Sequence, residues 1–340
     1  MPTSETLQDP VSNRLCVIGA GLCGLTAAAR AKTAGWAVTV LDKGRGVGGR
    51  MSRRRTHEGF EFDHGAQYFT ARTGAFQTLL GEAERAGAVA LWTREAADTG
   101  VNAREPWWVG TPGMTGLARW LENQVRAETG RTAVKLNRVE GLWHVGTREG
   151  QVHGPFERIV IAVPPAQARS LLATYLVTDP AMDRLAGVEI DPCWAVMLAF
   201  DRRQNCMPDI MRDPNSSIGW AARNASKPWR PTEIETLVVH MSGDWSKAHL
   251  EEAPDQVAAM ALGELQAVTD GAVSAPVFLS AHRWRYAKTI TPLGSPMLEA
   301  FGGEVLVGGD WCLGARVECA FQSGMAIGQA LQNTLARAGN

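Results

Sequence analysis

Cysteine is scarce in this sequence and follows no pattern. The six cysteines, Cys16, Cys23, Cys193, Cys206, Cys312 and Cys319, include no C-x-x-C pair. That argues against a disulfide framework or a zinc centre, and no metal site is expected. Cys16 and Cys23 fall in an apolar strand and the helix after it, where a free thiol acts as a small hydrophobe. Long hydrophobic runs are also missing: none reaches 18 residues, so no segment is expected to span a membrane. The first 13 residues are polar, include Pro2 and Pro10 and lack an apolar stretch. They read as a flexible tail and not as a signal peptide. A reducing cytoplasm is the expected compartment. An excess of charge of one sign is absent too. The 34 basic and 35 acidic side chains leave a formal net charge of −1, so neither nucleic acid nor an anionic membrane is expected as a partner.

What is present is enough for a large core. The chain has 340 residues, 45% of them hydrophobic, a length that suits about two domains. Leu15 to Ile18 is a short apolar run closed by Gly19, as in a buried parallel strand. Leu22 to Ala34 reads as a helix closed by Gly35, and Ala37 to Leu41 as a second strand. Together they form a βαβ unit. The middle of the chain differs. Trp194 to Phe200, Ile218 to Ala222, Leu237 to Met241 and Val277 to Tyr286 are strand-like and separated by Gly, Pro and Asn. Only Asp255 to Val268 is convincingly helical there, so a mainly antiparallel sheet is expected. Glu304 to Gly308 returns to a buried-strand pattern, and a long amphipathic helix, roughly Glu318 to Arg337, follows. The ends resemble each other more than either resembles the middle. The expected fold is therefore α/β: a Rossmann-type dinucleotide domain from residues 14–72, 103–190 and 296–340, with a mainly antiparallel substrate domain from 73–102 and 191–295, behind a tail at 1–13.

Gly19-x-Gly21-x-x-Gly24 lies between that first strand and helix. The first glycine permits the turn, the second lets backbone approach a pyrophosphate, and the third allows close helix–sheet packing. The helix N-terminus then offers free N–H groups and a positive dipole end to phosphate. Asp42 ends the next strand, where its carboxylate can accept from ribose hydroxyls. Lys43 and a second glycine cluster, Gly44 to Gly49, lead to Arg50 and Met51. The run Arg53-Arg54-Arg55 reads as solvated charge at a strand start. Ala162-Val163-Pro164-Pro165 after a buried strand suits a cofactor-side crossover or a plain helix start with Pro at N1. Far downstream, Gly308-Gly309-Asp310-Trp311-Cys312 follows a strand and Gly314 to Glu318 opens the last helix.

With these two signatures the sequence resembles the amine-oxidase-like flavoproteins, whose second glycine cluster places an Arg on the FAD pyrophosphate. In that superfamily the late Asp bonds the ribityl chain or a phosphate, and the last helix points its N-terminus at the flavin. More specifically, Asp63-His64-Gly65-Ala66-Gln67-Tyr68-Phe69-Thr70-Ala71-Arg72 resembles a G-A-Q-Y-F-T segment of the renalase family, and Trp108 to Met114 its W-V-G-x-P-G-M loop. Asp191 to Val196, Ala281 to Ala287 and Gly309 to Cys312 also resemble that family, in order, from about Leu15 to about Leu331. His64 departs from the pattern, standing where an apolar residue is expected. The resemblance implies a p-hydroxybenzoate-hydroxylase-like architecture and non-covalent FAD. It implies cofactor contacts from Gly19, Gly21, Leu22, Gly24, Asp42, Lys43, Arg50, Met51, Ala66, Gln67, Asp310, Arg316, Val317 and Glu318. It also implies oxidation of isomeric dihydronicotinamide dinucleotides, with the hydride at ring carbon 2 or 6, giving NAD(P)⁺ and, with O₂, hydrogen peroxide.

Such chemistry needs no strong base, because a dihydropyridine expels hydride as it aromatises. It needs a flat apolar slot. Tyr68, Phe69, Thr70, Trp108, Trp194, His240, Trp284 and Trp311 are the candidate substrate contacts, and no catalytic acid/base dyad is evident. Trp107, Trp120 and Trp143 read as core, and His282 as a strand residue near the site. The enzyme alternative is a flavin amine oxidase or carotenoid-type desaturase. For an amine oxidase, Lys288 is the sole candidate lysine near the site. Covalent flavin attachment would fall to Cys312, which reads as structural. A redox sensor without turnover is the third class. The oligomeric state is not legible.

Overall fold

The computed structural model describes residues 13–93, 105–175, 179–213 and 216–338. Residues 1–12 of the expected tail and 94–102 of the expected substrate segment lie outside these.

Both ends of the chain build one six-stranded sheet. Its order is Leu298–Ala300, Val305–Val307, Arg158–Ile161, Arg14–Ile18, Ala37–Asp42, Ala127–Thr129. All neighbours run parallel except the 298–300 edge strand. Leu15 to Ile18 and Ile159 to Ile161 are buried throughout, as strands covered on both faces must be. The helix Leu22–Ala34 ends on Gly35 at φ 107, so the expected βαβ unit forms at the residues read from sequence.

Close helix packing joins the termini. A Cβ on Gly324 would lie 2.5 Å from the Cys23 carbonyl oxygen, and one on Gly328 would lie 2.6 Å from the Arg30 Cβ. Small residues on the last helix, Val317–Ala338, thus let it lie directly on Leu22–Ala34. The Trp36 indole N–H donates to the Leu331 carbonyl at 3.1 Å across the same contact.

The middle of the chain forms a five-stranded antiparallel sheet in the order Ile210–Met211, Ile218–Arg223, Glu235–Met241, Glu189–Phe200, Phe278–Thr291. Its strand Glu189–Phe200 alternates with period two. Trp194, Val196, Leu198 and Phe200 pack with Val257, Ala261 and Leu265 of the helix Pro254–Val268. Met197 and Ala199 face the other way, onto Phe62. The short helix Gly243–Ala248, capped by the Ser242 hydroxyl, was not expected from sequence. A separate three-stranded antiparallel sheet spans residues 133–156. The helix Gly74–Arg85, expected with the substrate domain, buries Phe76 and Leu80 in the core of the two-ended sheet instead. Phe76 lies 4.9 Å from Phe321 of the last helix. No helix among the described residues is long and apolar enough to cross a membrane.

Candidate active site

One cleft of about 2490 Å³ runs from the glycine turn of the parallel sheet to the edge of the antiparallel one. A single ligand site typically occupies roughly 300–1,000 Å³, so the cleft has room for more than one large ligand.

At its first end, Gly19 sits at φ 109 with its Cα against the Ala162 carbonyl, and a Cβ on Gly24 would collide with the Gly19 carbonyl oxygen. Gly21 is the opposite case: a Cβ there meets no protein atom within 4 Å, and the residue lines the cleft. The helix that starts after it has neither a side-chain cap nor an acid in its first turn. Its N–H groups are therefore free for an anion. The Asp42 carboxylate accepts from Ala20 N and Gly44 N, both at 2.6 Å, bracing the turn while still lining the cleft. Lys43 donates to Gln167 Oε1 at 3.1 Å. Arg50 donates to Asp310 Oδ1 at 2.5 Å and to the Ala287 carbonyl at 3.4 Å, so the two distant signatures meet at one point. The Asp310 carboxylate also accepts from Trp311 N. Leu22, Met51, Ala66, Arg316 and Val317 line the same cleft.

The middle of the cleft is aromatic. Tyr68 stacks on Trp107 with ring centroids 3.6 Å apart and planes 10° from parallel. Trp220 lies 5.6 Å from Tyr68 and 5.8 Å from Trp107. All three line the cleft, as do Phe69 and Thr70. The Trp220 indole nitrogen is buried and has no hydrogen-bond partner among the described residues.

The antiparallel sheet adds His240, His282 and Trp284 to the wall. The His64 carbonyl is held by the Trp284 indole at 2.9 Å and by His240 Nε2 at 3.2 Å. The His64 ring lies 4.9 Å from His282 and 5.1 Å from Trp284. Burial, then the neighbouring histidine, pushes the His64 pKa down to about 3. Burial pushes that of His240 down to about 4 and also lowers His282. These rings are neutral near pH 7 and poor proton acceptors.

Beneath them Gln67 is locked in place. Its amide donates to the carbonyls of Asp63 and Gly65 and accepts from Lys227 Nζ at 2.9 Å. Asp63, fully buried, accepts from Arg230 at 2.6 Å, from Lys227 at 3.5 Å and from Met114 N at 2.9 Å. Two charges flanking Asp63 hold its carboxyl below the usual range against the opposing effect of burial. Lys227 and Arg230 carried no signal in the sequence, since nothing local marks a loop cation as buried.

Several expected contacts fall elsewhere. Trp194 points to the helix-covered face of its sheet, and its indole donates to the His249 carbonyl. Trp311 is buried in the second core and donates to the Val163 carbonyl. Trp108 lies half-buried against the first core and does not line the cleft; its neighbour Trp107, read as core, is indeed buried in that core and backs Tyr68 at the cleft wall. The Glu318 carboxylate turns away to accept from Arg72 N, Thr73 N and the Thr73 hydroxyl. Gly24 packs and does not line.

Residues 17–83 match an NAD(P)-binding Rossmann-like domain. Residues 101–330 match the flavin-containing amine oxidoreductases. The chain belongs to that family. Like other members of this flavoprotein family it takes FAD as cofactor and is an oxidoreductase. A solved structure from Exiguobacterium sp. 255-15, provisionally described as a protoporphyrinogen oxidase, shares the fold with a TM-score of 0.74 at 12% identity, over 95% of this chain and 99% of the other. Wild-type putrescine oxidase bound to putrescine does so with a TM-score of 0.68 at 12% identity, over 96% and 99%. The 4,4'-diapophytoene desaturase (4,4'-diaponeurosporene-forming) of Staphylococcus aureus (strain Newman) is 48% identical over 52 residues, 15% of this chain and 10% of that protein. The flavoprotein thus spans about a tenth of the length of the curated relatives it matches.

The residues fit FAD. The open glycine at 21, the uncapped helix start and the Arg50 guanidinium at the cleft wall suit a pyrophosphate. Two thiols that line the cleft, Cys23 and Cys193, are each pushed up to about 12 by burial, and burial raises Cys312 further still. None of these three thiols is therefore offered as a thiolate for a covalent link.

Proposed function

We propose that this flavoprotein oxidises dihydronicotinamide dinucleotides whose extra hydride sits at ring carbon 2 or 6, as renalase-type enzymes do, forming NAD(P)⁺ and hydrogen peroxide. Its two-ended dinucleotide domain with an inserted antiparallel sheet is read accordingly as p-hydroxybenzoate-hydroxylase-like. The observation that carries the reading is the stacked Tyr68–Trp107 pair in the wall of a cleft roomy enough for a second dinucleotide.

The bound FAD supplies a two-electron acceptor that dioxygen can reoxidise. The chain's own residues do the rest. Tyr68, backed by the buried Trp107, and Trp220 provide flat apolar surface against which a planar ring can lie, excluding water from it. The free Trp220 indole N–H and the His64 ring offer hydrogen bonds to a carboxamide. Gln67, fixed by Lys227, keeps the 64–70 segment in one position, and orientation of that kind is worth much of a hydride-transfer barrier. No residue has to remove a proton, which agrees with histidines kept neutral by burial. Lys288 lines the cleft but is exposed.

The test is product stoichiometry in air. The FAD-loaded protein, given 2- or 6-dihydro-NAD(P), should release one hydrogen peroxide and one NAD(P)⁺ per substrate. Peroxide from monoamines but not from these isomers would replace the reading with an amine oxidase.

A further inference from the structure

We propose that Arg54 binds a phosphate group of the dinucleotide substrate, so that the substrate end of the cleft is built for an anion and not for an amine cation. The proposal rests on the function proposed above and adds the group that recognises its substrate.

The first support is strand geometry. Arg54–Arg55 pairs with Glu61–Phe62, with Arg54 opposite Phe62 and Arg55 opposite Glu61. Successive side chains alternate between faces, so Arg53 and Arg55 share one face and Arg54 takes the other. The ion pairs obey this. Arg53 reaches Glu61 at 2.9 Å and Arg55 reaches the same carboxylate at 2.7 Å, so one acid is shared by both and none of it is left for Arg54. Arg54 is half-buried, lines the cleft, and has no carboxylate within salt-bridge reach among the described residues.

The second support is what Arg54 faces. Opposed residues in an antiparallel pair share a face, and diagonal neighbours lie about 7–8 Å away. The partner Phe62 packs toward the antiparallel sheet, and two residues on is His64, only 6% exposed, with its Nδ1 unpartnered. The charge of Arg54 is felt at both His64 and His282, where it favours the neutral ring. A half-buried cation beside neutral histidines, one with an unused ring nitrogen, lacks only a ligand anion.

The third support is the disposition of the acids. Asp310 is paired with Arg50 and Glu105 with Arg72, while Asp191 and the exposed Asp244 share Lys247. Asp42, at the glycine turn, is taken by the backbone N–H groups of Ala20 and Gly44, so each buried or half-buried cleft carboxylate already has a partner, which leaves little to hold an ammonium group.

The test is calorimetric titration of FAD-loaded protein, whose glycine turn is then filled, with inorganic pyrophosphate and separately with NAD⁺. Arg54→Ala should weaken pyrophosphate binding by about tenfold to a hundredfold, as loss of a charge-assisted hydrogen bond predicts. Arg54→Lys should recover part of it. Arg138→Ala, which removes an exposed arginine paired with Glu304 outside the cleft, should match wild type. FAD content should be equal in all. If wild type and Arg54→Ala bind pyrophosphate alike, or neither binds it, the assignment of Arg54 is overturned. If pyrophosphate binding depends on Arg54 but NAD⁺ does not bind, the anion site stands and the dinucleotide reading fails.

Discussion

Arg50 and Asp310 meet at 2.5 Å although 260 positions separate them. One belongs to the turn after the second strand and the other to the turn after the last strand of the parallel sheet. Their contact is partly buried, with side chains 28% and 14% exposed. It brings the positive and negative groups of the two signatures to one stretch of the cleft.

The first prediction concerns retention of FAD. The protein should be yellow, and heat or acid should release unmodified FAD. Arg50→Ala should lower FAD affinity by about one to two orders of magnitude, the equivalent of roughly 1.5–3 kcal/mol for a charge-assisted bond. Arg54→Ala should retain FAD as wild type does. Equilibrium dialysis followed by flavin absorbance measures both, and equal losses at the two positions would mean that the phosphate contact is misplaced.

Two glycines of one motif should fail in different ways. Gly24→Ala drives a methyl into the Gly19 carbonyl oxygen, an overpacking that typically costs about 1–3 kcal/mol. It should lower the melting temperature even without flavin. Gly21→Ala meets no protein atom within 4 Å, so the apoprotein should melt as wild type while FAD binding falls. Thermal unfolding with and without added FAD separates the two.

The glycine motif and its βαβ frame were legible because every signal in them is local: a glycine, an apolar run, a helix stop. The antiparallel strands were legible for the same reason, though the strand Glu189–Phe200 starts five residues before the Trp194 expected. The place of Trp107 beneath Tyr68 was not: the residue is core, as expected, but only the pairing of Trp92 N with the Trp107 carbonyl and of Phe69 with Trp108 sets its ring against Tyr68. Arg54 could have been found from alternation within Arg53-Arg54-Arg55, had Glu61 been recognised as the acid across the hairpin. Lys227 could not, because it acquires its meaning from Asp63, 164 positions away.

The third prediction concerns pH. His64 and His240 have native pKa values lowered to about 3 and about 4 from 6.5. Between pH 6.5 and those values the unfolded chain takes up protons that the folded one refuses. Stability should therefore hold above pH 6.5 and fall as the pH drops through that window. His64→Leu should make the fall shallower in melting curves recorded from pH 7 to pH 4. A wild-type curve flat across that range would contradict the burial argument.

The fourth prediction locates the aromatic slot. Tyr68→Ala and Trp107→Phe should slow anaerobic flavin reduction by more than they reduce FAD content. Trp194→Phe, on the far face of its sheet, should leave the reduction rate per bound FAD unchanged. Rapid-mixing rates normalised to flavin content decide it, and a Trp194 effect as large as the Trp107 effect would count against the site as drawn.

The central claim is tested most directly by mixing the yellow protein anaerobically with single reductants and timing the loss of flavin colour. A slot that places carbon 2 or 6 for hydride transfer displaces carbon 4, and a misplacement of about 1 Å can cost about 100-fold. The account predicts bleaching within seconds by 2- or 6-dihydro-NAD(P), bleaching slower by about that factor with ordinary 4-dihydro-NAD(P), and none with monoamines. Rapid bleaching by a monoamine, with the dihydronicotinamide isomers inert, would contradict it.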